Sequence, residues 1–147
     1  MRAIMPVETR LFVKASLVWL CATFALGALL LILKASGEPV RFDFSNVHAH
    51  MGFVGWLVNL VMGIALWFLP VNREKFPDNR GRYPASTVRV IFAMLNAGLA
   101  LRVIFEPLAD QGGPVQLYSA LLISSAVLQL AAVLLFAAIA WVRVRQV

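Results

Sequence analysis

His48 and His50 are the only histidines in the chain, and they stand two residues apart in Asn46-Val47-His48-Ala49-His50-Met51, at the start of a long apolar run. Imidazole is a common metal ligand and can hold haem iron at an axial position. Ionisable side chains at a lipid boundary are costly, and they mark functional positions by default. On a helix, residues i and i+2 point about 200° apart, at roughly 100° per residue. The pair therefore cannot easily grip one ion from one face. It can address two partners on opposite faces of a single helix. The same angle, with no third histidine or acidic cluster nearby, disfavours copper.

The helix that carries them can be read downward from His48. Asp43, Ser45 and Asn46 are suited to cap its free amides. Steps of three or four place His48, Gly52, Gly55, Asn59, Met62 or Gly63, and Leu66 on one face. Glycines beneath an imidazole make a smooth surface. A flat macrocycle could lie against it, and so could another helix, because small residues allow close approach in membranes.

The composition sets the environment. The chain has 147 residues, of which 61% are apolar and 14% charged. A soluble domain has about half and a quarter. Four apolar stretches reach the roughly 20 residues that a span requires: about Phe12 to Leu33, Val47 to Leu69 before Pro70, Val88 to Phe105 before Pro107, and Leu117 to Val142. Helices are expected, since unpaired backbone groups are not tolerated in lipid. The first stretch is longer than the apolar core of a signal peptide, so it is expected to be retained. Cys21 has no partner cysteine and reads as a small hydrophobe within the first span.

Charge orients the spans. Arg2, Arg10 and Lys14 precede or open the first; Arg73, Lys75, Arg80, Arg82 and Arg89 surround the central loop; Arg143 and Arg145 close the chain. With four spans, all ten share one side. The positive-inside rule makes that side cytoplasmic, with both termini. The net charge of +6 then reports topology rather than nucleic-acid binding. The expected architecture is one all-α domain, 1–147: an integral membrane four-helix up-down bundle in contact with lipid, with His48 and His50 near the outer surface. No nucleophile paired with a base, paired carboxylates, phosphate-binding glycine loop or zinc spacing is visible, so a hydrolase or nucleotide enzyme is not indicated.

The stretch Val47-His48-Ala49-His50-Met51-Gly52-Phe53-Val54-Gly55-Trp56-Leu57, followed by Gly63, Trp67 and Pro70, resembles the two-histidine helix of haem–copper oxidase subunit I. It is closer still to short four-helix bacterial proteins of the cytochrome oxidase subunit I-like type. The resemblance covers about 25 residues. It implies a bacterial inner-membrane protein that holds haem b, with His48 and His50 ligating different haems. The oxidases place further histidines on other helices, and this chain has none. A binuclear haem–copper centre is therefore not implied, and the chain is not a complete oxidase by itself.

A six-coordinate haem needs two axial ligands. In a two-fold homodimer, His48 of one protomer and His50 of the other could approach one iron from opposite sides. Met51 or Met94 are alternative second ligands, and a five-coordinate haem is a further option. Arg102 and Arg41 are suited to pair with propionates. Arg102 could instead pair with Glu106, one turn on. Trp56, Trp67 and Phe53 could edge the ring; Asn59 and Gln129 are explained by interhelical hydrogen bonds. The expected function is electron transfer or the binding of a small gas such as nitric oxide or oxygen. The alternatives are an accessory or assembly subunit of a larger respiratory oxidase or reductase, and a copper-binding membrane protein.

Overall fold

The computed structural model describes residues 5–40, 44–77, 80–111 and 113–144. These form four long helices: α1 (Val7–Ala35), α2 (Ser45–Phe68), α3 (Ala85–Ala109) and α4 (Val115–Val144), each long and apolar enough to cross a membrane. The all-α expectation holds. α1 and α4 extend beyond the stretches expected from hydropathy because polar residues at their ends, among them Glu8, Thr9 and Arg143, continue the helix and are buried within the bundle. α3 runs through Pro107 rather than stopping before it. A proline in the last turn removes only one ladder bond, and the helix ends two residues later. Pro70 does stop α2: Leu69 is already extended, with ψ 144°.

Local chemistry sets the ends. α1 closes in a Schellman arrangement, with Gly37 at φ 75° and amide bonds from Glu38 to the Leu33 carbonyl (3.0 Å) and from Gly37 to Lys34 (3.4 Å). The loop after α2 is built around Asn72, which is buried. Its side-chain oxygen accepts from the Lys75 amide at 3.0 Å, and its amide donates to the Val142 carbonyl at 3.3 Å.

Helices adjacent in sequence pack together: α1 on α2, α2 on α3 and, most extensively, α3 on α4. α2 and α3 carry the core, with 33% and 28% of their most apolar windows buried, against 11% and 17% in α1 and α4. The largest cluster joins Phe12, Met62, Leu66, Tyr83, Val88, Ile91 and Leu95. Phe12 meets Phe92 edge to face at 5.1 Å. α3 and α4 approach closely at Gly98, where an added Cβ would lie 2.9 Å from the Ser125 carbonyl oxygen. The Ser125 hydroxyl bonds the Gly98 carbonyl at 2.6 Å.

One end of the bundle is cationic. There the start of α1 meets the start of α3 through a 3.0 Å ion pair between Glu8 and Arg89. The end of α4 meets the end of α2 through Arg143, which is fully buried. Its guanidinium donates to the carbonyls of Leu66, Pro70 and Leu69. These carbonyls lack helical partners at a helix C-terminus, so Arg143 supplies what the backbone cannot. The tyrosine ring of Tyr83 lies 5.8 Å from the same guanidinium. Both histidines stand on α2 at the opposite end.

Candidate functional site

The first turns of α2, Ser45 to His50, are α-helical, and the next eight residues, Met51–Val58, form a π-helix. His48 and His50 therefore keep the α-helical angle between them, and they point to opposite sides. Below them the winding changes. A π turn closes i→i+5 bonds, so it holds more residues than an α turn, and such segments are frequent at functional sites. The buried line down the helix is Val47, Met51, Gly55, Asn59, Met62 with Gly63, and Leu66. The lower half matches the face expected from the sequence. The upper half is displaced by one residue: Val47 and Met51 are buried where His48 and Gly52 were expected. The wider turn keeps a spacing of four in register, which an α-helix alone lets drift.

His48 is half-buried and lies against α1. A Cβ built on Gly27 would come within 2.8 Å of the imidazole Cε1. The ring thus occupies the space a side chain at position 27 would take. Its Nδ1 is buried and has no hydrogen-bond partner among the described residues. Beside it runs a groove of about 360 Å³, lined by Thr23, Phe24, Gly27, Ala28 and Leu31 of α1 and by His48 itself. That is within the range of small-molecule sites, and its lining is apolar except for one hydroxyl and one imidazole.

His50 is held differently. Its Nδ1 lies 2.8 Å from the Asn46 carbonyl oxygen. A carbonyl only accepts, so Nδ1 carries a proton, and in the neutral ring Nε2 is the nitrogen with the lone pair. Ligating histidines are typically oriented by this kind of bond, with the other nitrogen free to bind metal. The donor chemistry at position 50 fits an axial ligand. At position 48 the buried nitrogen without a partner fits a ring that awaits one.

Comparison with known proteins finds no matching family model, no matching curated protein and no matching solved structure.

The other expected site residues separate into distinct groups. The glycine face is taken up by helix packing: Gly52 faces Thr23, and an added Cβ at Gly55 would lie 2.7 Å from Trp19 and 3.0 Å from Leu99. Of the two occupants the sequence allowed, a helix rather than a macrocycle lies there. Asn59 is fully buried. Its amide donates to the carbonyls of Val54 and Gly55 in the π segment, and it exchanges hydrogen bonds with Asn96 of α3. The Trp19 indole joins the Asn96 oxygen at 3.0 Å. Asn59 is thus committed to holding α1, α2 and α3 together, which is the interhelical role, and its groups are not available to a cofactor. Trp56 and Phe53 are exposed on the outer surface of the bundle. Trp67 stacks edge-on with Phe68.

Arg102 pairs with Glu106 through two bonds, Nε to Oε2 at 3.0 Å and Nη2 to Oε1 at 3.3 Å. The intrahelical pairing is formed, and the Arg102 side chain is still 30% exposed. Arg41 and Asp43 lie outside the described residues. Met51 is buried and Met94 packs against the core cluster. Among the described residues no group of three or more His, Cys, Asp or Glu is placed to hold a metal ion. Sequence reasoning missed three contributors: Gly27, the Asn46 carbonyl and Asn96. Gly27 lies in another helix with no spacing relation to the histidines. The carbonyl is common to every residue. Only Asn96, a lone amide in an apolar run, leaves a signal.

Proposed function

We propose that the chain is a haem b-binding integral membrane protein, with its haems ligated at a homodimer interface by His48 and His50. The observation that carries this reading is the Asn46 carbonyl bond to His50 Nδ1, which in the neutral ring leaves Nε2 as the nitrogen able to bind a metal. His48, on the opposite side, has a buried nitrogen without a partner and an apolar groove alongside. The resemblance of this helix to the two-histidine helix of haem–copper oxidases supports the same assignment.

The residues divide the work. His50 offers a fixed nitrogen lone pair. His48 offers a ring whose position is set by Gly27. Arg102 can turn its exposed edge to a propionate while remaining paired with Glu106. Haem supplies one-electron chemistry, or a binding position for a small gas where one axial site stays open. Were His48 of one protomer and His50 of the other both to hold each iron, the group would supply electron transfer rather than gas binding. The cationic end faces the cytoplasm by the positive-inside rule, which sets both termini inside a bacterial inner membrane and the histidines near its outer surface. A respiratory-chain protein is the natural redox partner at that surface.

The test is an absorption spectrum and a pyridine-haemochrome assay on purified protein, with His48→Ala and His50→Ala. The expected result is a six-coordinate low-spin spectrum insensitive to carbon monoxide, with each variant losing half or more of its bound haem. Colourless protein that co-purifies with an oxidase or reductase would instead support an accessory role. Haem content unchanged in both variants rules out the ligand assignment.

A further inference from the structure

At the cationic end, where the start of α1 passes the loop leading into α3, lies a second cavity of about 510 Å³. Its lining includes Pro6, Glu8 and Arg10 from the start of α1, and Arg80, Arg82 and Tyr83 from the loop. Three guanidinium groups therefore share one concavity. None of the three forms an ion pair among the described residues. The one carboxylate in the lining, Glu8, is engaged by Arg89, which donates from Nε at 3.1 Å and approaches the same oxygen with its terminal nitrogen at 3.0 Å. Glu8 and Arg89 offset each other, and among the described residues the cavity keeps an excess of three positive charges.

The loop holds its arginines at a conformational cost. Arg80 has φ 54°, a left-handed backbone that favours glycine, and Gly81 follows at φ 81°. A non-glycine side chain in that region is strained. The turn is closed by amide bonds from Asn72 to the Gly81 carbonyl and from Gly81 to the Phe76 carbonyl at 3.0 Å. Gly81 itself cannot be larger, because a Cβ there would lie 2.8 Å from Arg73. Position 80 is exposed and has no such packing constraint. An arginine is thus kept where a glycine would sit without strain. The α1 amino terminus, which lines the same cavity, has no side-chain cap and adds its helix dipole to the field.

We infer that this cavity binds a phosphate group, and that its occupant is the head group of an anionic phospholipid. Guanidinium matches phosphate through paired hydrogen bonds, and basic pockets at the ends of membrane helices recognise lipid head groups. The position agrees: the cavity sits at the mouth of the bundle, where the ends of α1 and α3 meet the polar layer. A bound head group would tie the start of α1 to the α2–α3 loop. The inference is independent of haem, since these residues lie at the opposite end of the molecule from His48 and His50.

The experiment is native mass spectrometry of the detergent-solubilised full chain, titrated with phosphatidylglycerol, phosphatidylcholine or inorganic phosphate. Three proteins are compared: the wild type, Arg80→Gln with Arg82→Gln, and Lys14→Gln with Lys75→Gln. The second pair removes the same charge from the same end but lies outside the cavity. Arg80 and Arg82 make no side-chain hydrogen bond within the described chain, so their replacement breaks none there, and circular dichroism verifies the helix content. Phosphatidylglycerol is expected to bind the wild type and to weaken by about thirtyfold in the arginine variant, at roughly 1 kcal/mol per cationic side chain. The lysine variant is expected to change by less than threefold. Displacement of the lipid by inorganic phosphate supports a phosphate site and identifies a soluble source as competent. Equal weakening in both variants, or equal binding of phosphatidylcholine, overturns the inference in favour of a diffuse charge effect.

Discussion

The imidazole of His48 and the missing side chain of Gly27 are one feature, divided between two helices. A methyl group at position 27 would stand 2.8 Å from Cε1, closer than real Cβ contacts allow. Gly27→Ala should therefore push the ring out of the groove. On the proposed haem-binding reading, we expect at least a twofold loss of bound haem, or a visible change in its spectrum, with unchanged helix content. Ala25→Val, on an exposed part of the same helix, should leave both unaltered. Haem content in Gly27→Ala equal to wild type would show that His48 is not positioned by this contact. His50 depends on a backbone carbonyl only four residues away, so its orientation is local and should survive changes in α1.

At the scale of elements, α2 is stabilised along its length by groups from its neighbours. Asn59 and Asn96 join α2 to α3 in mid-bundle, where interhelical amide bonds satisfy polar groups that lipid cannot. At its foot, Arg143 from α4 takes the place of the next helical turn, satisfying the last carbonyls of α2. Removing it leaves those buried acceptors unpaired. Arg143→Met should cost on the order of 3 kcal/mol in reversible unfolding of the detergent-solubilised protein. Arg143→Lys should recover only part of this, since one ammonium cannot span carbonyls that a planar fork reaches together. A loss below about 0.5 kcal/mol for Arg143→Met would show that water replaces the guanidinium freely.

At the scale of the whole molecule, the two ends have different chemistry: apolar groove and histidines at one, arginines and a buried phenol at the other. Burial pushes the Tyr83 phenol above its ordinary value, opposed by the Thr9 hydroxyl. A folded-state value above the unfolded one means that the native protein holds this proton more tightly. Its contribution is present in full below the unfolded value, near pH 10, and is lost as pH rises through the folded value. Thermal stability should therefore fall above about pH 10, and Tyr83→Phe should fall less steeply over the same range. Parallel pH profiles in the two proteins would remove Tyr83 from the account. Between the ends, the core clusters near the basic mouth, where Phe12, Leu66, Tyr83, Val88 and Ile139 meet.

Span number, helical class and the polarity of the two ends were legible in the chain itself, because they depend on local quantities: run lengths of apolar residues and the distribution of Lys and Arg. The angular divergence of His48 and His50 was legible for the same reason, as both sit in regular α-helix. What needed the tertiary structure was everything set by a neighbour. The π segment, stabilised in part by Asn59, shifted the buried line from His48 and Gly52 to Val47 and Met51. The glycine face received α1, and Arg143, which charge counting placed only at the cationic end, is fully buried. Periodicity tells which residues share a face, but only packing decides what occupies it, since a helix, a cofactor and a lipid chain all place the same demand for small apolar residues on the strip they cover.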